Sequence, residues 1–555
     1  MTKRFIVLAV VVFFVLSFLL YSPALNSFFV SDDFDWIWRA QEKSNPLNYF
    51  WENADGTRGG GVYRPLTLLS FWLNYRVGGL RPFDYHFFNV FFFAASAVLI
   101  FWLVWLMWKN KKAAVLSGLF FLVLPNHPEA VSWISGRGDV LAVFFALLSF
   151  IFYLFFRRGK SRFFLFFSVL SFFLSLLAKE AALALPAVLA VFEIFWFWKK
   201  PSFSAKLVFK QFCGLLSLGL AAALFLYLRL SATSVLLGFY ATPDLHPNFG
   251  QNFKTFLTIF FSNFLEAPWR EAATFFAQKR FVLFMSVFLA FLVYLWKAQR
   301  YEKFRFAVFV SLFLFFNALP VLPLAFSRAT SEGERFAYWP SVAIAIFLGG
   351  LAAGFFRKDK LRPLVCLALF FALGYFSSSL FLKNLNWRKA GVISQGLIKN
   401  FGAAFNLKEK QGIVVLGLPD NFSGAQVLRN GFPAALRLFY PAYPLDMLAV
   451  KVRFNLTPEN FSEGMPEWTV GEGGYLARGQ ADFFHGEKEL QSLDYEMRLK
   501  NYDKKTSSGN QMEIIFTPAF LNQMVDKKIV FLAAAGLKFK FLSPPATPLN
   551  KNTLK

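Results

Sequence analysis

Two adjacent carboxylates, Asp32 and Asp33, with a third at Asp35, sit in the stretch FFVSDDFDWIW (residues 28–38), directly after an apolar run that begins at Phe5. A charged side chain at a bilayer edge is costly unless it faces water, a partner or a substrate, so the pair marks a candidate site. Like charges in contact raise the proton affinity of one member, which suits one carboxylate to act as base and the other to orient it. Either Asp32 or Asp33 fits the base. Asp35, one turn further on, reads as a solvated helix residue.

The other chemically suggestive groups recur at the ends of later apolar runs: Arg64, His86, His127 with Glu129, Arg137 with Asp139, Lys179-Glu180, and Arg328 to Arg335. Arg64, followed by Pro65, is either an interfacial anchor or a phosphate ligand. His86 and His127 fit no metal-ligand spacing, so hydrogen bonding to phosphate or sugar is the better reading, and no metal or other cofactor is expected. Lys179-Glu180 interrupts a hydrophobic hairpin, either as an ion pair or with Lys179 on a phosphate. Arg137, Arg328 and Arg335 add cations, and Glu193, deep in a run, is expected to pair with the Lys199-Lys200 group. No Gly-rich phosphate loop, Rossmann turn, Cys cluster or HExxH is present, which points away from a nucleotide-using enzyme. Cys213 and Cys366 lie in separate apolar runs and read as small buried residues. What remains is chemistry on a lipid-borne anion: Arg and Lys bind a polyprenyl phosphate and offset charge on the leaving group, while an aspartate takes a proton from an attacking hydroxyl.

The elements that must position these groups are membrane helices. Of 555 residues, 56% are hydrophobic and 79 are Phe, too apolar for an ordinary soluble domain. Apolar runs fall near 5–21, 85–108, 112–125, 138–156, 162–178, 181–198, 207–230, 280–297, 304–324, 337–356 and 363–382, which predicts about eleven transmembrane helices. The run at 5–21 lacks a small-x-small cleavage site and is read as a spanning helix, with residues 24–84 as a first outer loop carrying amphipathic helices. Alternate connections are strongly basic (Lys109 to Lys112, Arg157 to Arg162, Lys199 to Lys210, Lys297 to Arg305, Arg357 to Arg362), and that side is the cytoplasm. The net charge of +25 therefore follows from topology, and no nucleic acid partner is implied. The candidate residues then share the outer face of a cytoplasmic membrane protein whose N-terminus is inside.

FVSDDFDWI after the first run, Tyr63-Arg64-Pro65-Leu66, Tyr85-His86-x-x-Asn89, NHPEAVSWISGRGDV, Leu177-Ala178-Lys179-Glu180 with Pro186, and Glu334-Arg335-x-x-Tyr338-x-Pro340-Ser341 together resemble the membrane part of the transmembrane O-mannosyltransferases that carry tetratricopeptide repeats, members of the GT-C glycosyltransferases. The likeness covers roughly residues 1–385. It implies a polytopic GT-C membrane domain over 1–384 that moves a monosaccharide, such as mannose, from a polyprenyl-phosphate donor to a hydroxyl of protein, lipid or glycan, with inversion. By the same resemblance the base role goes to Asp32 or Asp33, and Arg64, His86, His127, Arg137, Lys179, Glu180, Arg328 and Arg335 form the donor-binding set. A lipid-linked glycan ligase or polymerase, or a polyprenyl-sugar flippase, is the alternative. Residues 385–555 depart from that family, because they show no 34-residue period. There GIVVLGL (412–418), MEIIFTPAF and KIVFLAAAGLKFKFL read as strands around an amphipathic helix, a small mixed α/β domain on the outer side. Sequons begin at Asn421, Asn455 and Asn460 and carry little weight.

Overall fold

The computed structural model describes residues 2–54, 61–197, 205–234, 301–319, 333–356, 359–404, 411–416 and 418–441, together with the strands between 446 and 542. The apolar run 280–297, Arg328 and Asn460 lie outside the described residues. The principal helices are α1 (Lys3–Leu20), α2 (Asp33–Glu42), α3 (Pro65–Gly78), α4 (Pro82–Trp108), α5 (Lys111–Val123), α6 (Arg137–Arg157), α7 (Phe163–Ala178), α8 (Leu185–Phe197), α9 (Ala205–Thr233), α10 (Tyr301–Ala318), α11 (Ser341–Phe355), α12 (Arg362–Ala404) and α13 (Phe432–Phe439). The chain divides into two compact units, one of Met1–Leu25, Lys43–Arg328 and Gly333–Asn384, the other of Asn26–Glu42, Ala329–Glu332 and Leu385–Lys555. The first outer loop is thus shared: its acidic half groups with the tail and its second half with the helices.

In the first unit, each apolar run that is described forms a helix, and local chemistry sets the ends. Thr2 caps α1 through its hydroxyl, Asn110 caps α5 by accepting from Ala113 N at 3.2 Å, and Pro at N1 opens α3 and α4. The helix α7 stops where Lys179 turns extended (φ −160°, ψ 138°), and a 3₁₀ turn over Glu180–Ala184 leads into α8. Among the described residues, five helices are long and apolar enough to cross a bilayer, with three shorter apolar ones beside them. Their outward faces carry Val7, Val11 and Val15 on α1, Phe163, Phe166 and Phe167 on α7, and Leu364, Leu367 and Phe371 on α12, all exposed. Apolar stripes of that length are stable in lipid and not in water, which makes this a helical membrane protein.

The interior of that unit is close-packed. The helices α6 and α7 lie together, as do α5 and α11, and α4 packs on both α5 and α6. Small residues permit the α5–α11 approach: a Cβ on Gly349 would come within 2.5 Å of Ser117 N and 2.8 Å of its Cα. Two cysteine readings change, since Cys213 is half-buried and Cys366 is exposed on the apolar surface of α12. Glu193 receives the Arg157 Nε on both oxygens, at 2.7 and 2.8 Å, because its helix faces α6.

Among the described residues, the second unit contains three sheets. In the four-stranded one, β1 (Gln411–Leu416) is central and parallel to both β2 (Asp446–Ala449) and β4 (Lys528–Ala535), and β5 (Lys538–Leu542) closes it antiparallel. Because β1 and β2 run the same way, a crossover must join them, and α13 lies within it. A five-stranded antiparallel sheet is centred on β3 (Ser508–Phe516), and a small three-stranded one holds the hairpin Asn421–Gln426. The sequon residue Asn421 is buried in that hairpin, donating to Asp420 Oδ2 at 2.9 Å and accepting from Gly424 N at 3.0 Å.

Replacing Gly349 by Ala drives a methyl group into the Ser117 backbone. The expected result is a loss of about 1–3 kcal/mol of stability, read as a lower unfolding temperature of the detergent-purified chain. An unchanged transition would mean that the two helices are further apart than described.

Candidate functional site

The helix break at Lys179 organises the polar interior of the first unit. In an extended residue, consecutive side chains leave the backbone in opposite directions, so Lys179 and Glu180 take different partners and not each other. Lys179 Nζ donates to Asp139 Oδ2 at 2.5 Å, with both groups largely buried. Glu180 receives Arg64 as a fork, Nη2 to Oε1 at 2.7 Å and Nε to Oε2 at 3.2 Å, and Arg229 Nη1 lies 3.8 Å away. Burial pushes the Glu180 carboxyl up, but Arg64, Lys179 and Arg229 outweigh it and hold it down at about 2.

A second ionic pair continues the row. Arg335 donates to Glu129 through Nη1 at 2.7 Å and through its own backbone N at 2.9 Å, and its neighbour Glu334 accepts from Lys383 at 2.6 Å. The Phe336 ring links the two: Lys179 Nζ stands 5.5 Å and the Arg335 guanidinium 4.9 Å from its centroid. Trp133 stacks on Arg335 at 4.8 Å. Arg64, Lys179, Glu180 and Arg335 are therefore brought together from the first loop, the α7–α8 break and the turn before α11. With Arg229, four cations here face the carboxylates of Glu180, Asp139 and Glu129.

Two residues expected to bind the donor are fully enclosed and leave that set. The Arg137 guanidinium is held between the rings of Phe71 (4.3 Å) and Phe88 (4.4 Å) and donates to Asn89 Oδ1 at 2.9 Å and the Tyr85 carbonyl at 3.1 Å. It ties α3, α4 and α6 together. His127 sits among Phe93, Phe121 and Tyr338, with Nε2 2.8 Å from Ser341 Oγ. Burial pulls its pKa down to about 3, weakly opposed by the Phe121 backbone, so the ring is neutral and offers a phosphate no charge. His86 is buried in the first turns of α4.

The acidic stretch belongs to the second unit. Asp33, also buried, opens α2 and turns Oδ2 back to accept from Val30 N at 3.0 Å, which ties the start of the helix to the segment before it. Asp32 is half-buried, and its Oδ1 accepts from Asn430 Nδ2 at 2.7 Å. The turn that presents it is strained, with Ser31 left-handed at φ 48°. The tail holds that turn in place: Ser31 N donates to Val427 O at 2.7 Å and Asn430 N donates to Ser31 Oγ at 3.3 Å.

No family model matches the chain. Protein O-mannosyl-transferase Tmtc1 of Drosophila melanogaster is 35% identical over 146 residues, which is 25% of this chain and 17% of that protein. Human TMTC3, also a protein O-mannosyl-transferase, is 39% identical over 107 residues, 19% of this chain and 12% of its own length. Over about a fifth to a quarter of its length the chain is thus similar to the TMTC O-mannosyltransferases. It matches only about a sixth or less of the length of these two TMTC proteins. Among solved structures, ArnT from Cupriavidus metallidurans bound to undecaprenyl phosphate aligns over 93% of this chain and 98% of its own, with a TM-score of 0.44 and 15% identity, too distant to bear on chemistry.

Reasoning from sequence named Glu129 and Asp139 among the outer-face polar groups without placing them in the donor-binding set, and passed over Arg229 and Asn430. Arg229 had a usable signal, a cation at the end of an apolar run. Asn430 had none, because its contact to Asp32 spans 398 positions.

Replacing Lys179 by Met strands the Asp139 charge in the interior and is expected to cost about 3–5 kcal/mol, whereas Lys179→Met with Asp139→Leu recovers most of it. Chemical unfolding of the three proteins in detergent distinguishes this from a surface pair, for which both variants would match the wild type. Glu180 carries a pH dependence whose sign follows from its lowered pKa. The stabilisation is complete above the ordinary value of 4.5 and is lost as pH falls toward about 2. Glu180→Gln should therefore show a shallower loss of unfolding temperature over that acid range, and parallel profiles would contradict the pairing.

Proposed function

We propose that this protein is a GT-C glycosyltransferase that moves a monosaccharide, mannose being the first candidate, from a polyprenyl phosphate to a hydroxyl acceptor on the outer side of the cytoplasmic membrane. The observation that carries the reading is the cationic row of Arg64, Lys179, Arg229 and Arg335, which among the described residues gathers on Glu180, Asp139 and Glu129. Such a row favours an anion that can exchange for carboxylate partners, and a lipid phosphate at the membrane edge is of that kind. The relationship to proteins named O-mannosyl-transferases supports the same reaction class. The one-sided basic loops support an inside N-terminus and an outer site.

In this reading the acceptor oxygen attacks the anomeric carbon as the bond from that carbon to the phosphate oxygen breaks. The electron pair leaves with the phosphate, whose growing charge Arg64, Lys179 and Arg335 offset. The hydroxyl proton passes to Asp32. Asp32 is preferred to Asp33 because Asp33 is buried and commits Oδ2 to the backbone N–H of Val30. Attack opposite the leaving phosphate inverts the anomeric configuration. The cations supply the charge that a metal would otherwise bring, so transfer is proposed to proceed without one.

The test is a panel of synthetic polyprenyl-phosphate sugars added to membranes containing the full chain, with products on endogenous proteins, lipids and glycans identified by mass spectrometry. Asp32→Asn is expected to lower the rate by about a hundred-fold or more, EDTA to leave it unchanged, and Asp33→Asn to act mainly by lowering stability. Wild-type rates in Asp32→Asn would end the base assignment, and absence of transfer from every donor would end the reading as a whole.

A further inference from the structure

A side chain of the tail reaches the carboxylate of Asp32. Asn430 Nδ2 lies 2.7 Å from Asp32 Oδ1. A carboxylate only accepts hydrogen bonds, so the amide must present its NH₂ there and not its oxygen. The position of Asn430 is set by its surroundings. Its backbone N donates to Ser31 Oγ at 3.3 Å, and its neighbour Arg429 is anchored to Asp420 through Nε at 2.7 Å and a further bond from Nη2. On the other side, Gly431 takes φ 78° and comes so close to Ser31 that a Cβ there would strike the Ser31 carbonyl. Beyond it, α13 is fastened to the acidic segment by Phe439 against Phe28 (5.5 Å between centroids) and by Arg437 over Trp38 (4.7 Å).

We infer that Asn430 is a positioning residue for Asp32, and hence that the tail completes the base. The inference rests on the reading of Asp32 as the group that takes the acceptor's proton. Occupying Oδ1 with a fixed donor stops the carboxylate from rotating about χ2 and leaves Oδ2 for the hydroxyl. The neighbouring Asp33 has its Oδ2 on Val30 N, so it does not compete for the same amide hydrogen. Asn430 touches no reacting atom. Its effect on the reaction is exerted through the orientation of Asp32.

The experiment uses the full chain and the donor that gives transfer with the wild type, and compares Asn430→Ala, Asn430→Asp and Asp32→Asn. Asn430→Ala should lower kcat by about ten- to a hundred-fold, the usual size for a lost hydrogen bond to a charged group, while KM for the donor and the unfolding temperature stay near wild type. Asn430→Asp keeps the size of the side chain but sets a like charge against Oδ1, and should be slower than Asn430→Ala at neutral pH. A residue that only shapes the fold would move KM or the unfolding temperature together with kcat, and would tolerate the isosteric Asp better than Ala. Rates within two-fold of wild type in both Asn430 variants, or that structural pattern, would overturn the inference. Wild-type activity in Asp32→Asn would remove the base reading instead, whatever the Asn430 variants show.

Discussion

An ammonium and a carboxylate cannot stand alone in an apolar interior, and the pair made by Lys179 and Asp139 is where that constraint bears hardest on this protein. Lys179 ends α7, so the helix break, the 3₁₀ turn that follows and the start of α6 must all be placed to let the two groups meet. Once that pair is made, the extended backbone at Lys179 turns Glu180 the other way, toward Arg64 and Arg229. The Phe336 ring passes the arrangement on to Arg335 and Glu129. The row is thus a consequence of breaking one hydrophobic helix at one charged residue.

Much of the helical scaffold was legible in the sequence, because a bilayer-length apolar run permits little besides a helix. The runs at 85–108, 138–156 and 162–178 correspond to α4, α6 and α7 within a few residues, and the stops at Pro125 and Lys179 fall where the breakers stand. In the tail, the segments read as strands near 412, 512 and 528–542 are strands. Two features were harder to read. The helix α12 continues to Ala404, well past the apolar run ending near 382, since polar helix formers extend a helix as readily as apolar ones. The first outer loop also divides after Glu42, although nothing in its composition changes there.

Pairing was less legible than placement. Neighbours in sequence suggested Lys179 with Glu180, but an ion pair needs side chains on facing elements, and Lys179 takes Asp139. Glu193 pairs with Arg157, while the Lys199-Lys200 group expected beside it lies outside the described residues. Arg137 and His127 looked like ligands because charge and imidazole are unusual near a membrane. Both are instead enclosed in aromatic surroundings and bonded to other protein groups, a use of polar residues that a pattern of types and spacings does not reveal. The acidic turn drew attention through its carboxylates, while the residues that hold it lie about four hundred positions further on.

That separation has a consequence for synthesis. Residues 26–42 leave the ribosome about four hundred positions before the hairpin and α13 that cover them. At roughly 5–20 residues per second the interval is about 20–80 s, during which Phe29, Phe34 and Ile37, buried in the finished protein, lack their final neighbours. The strained Ser31 turn therefore gains its full set of contacts only once α13 has been made, and a nascent chain released before α13 would carry its acidic segment without the contacts that shape it.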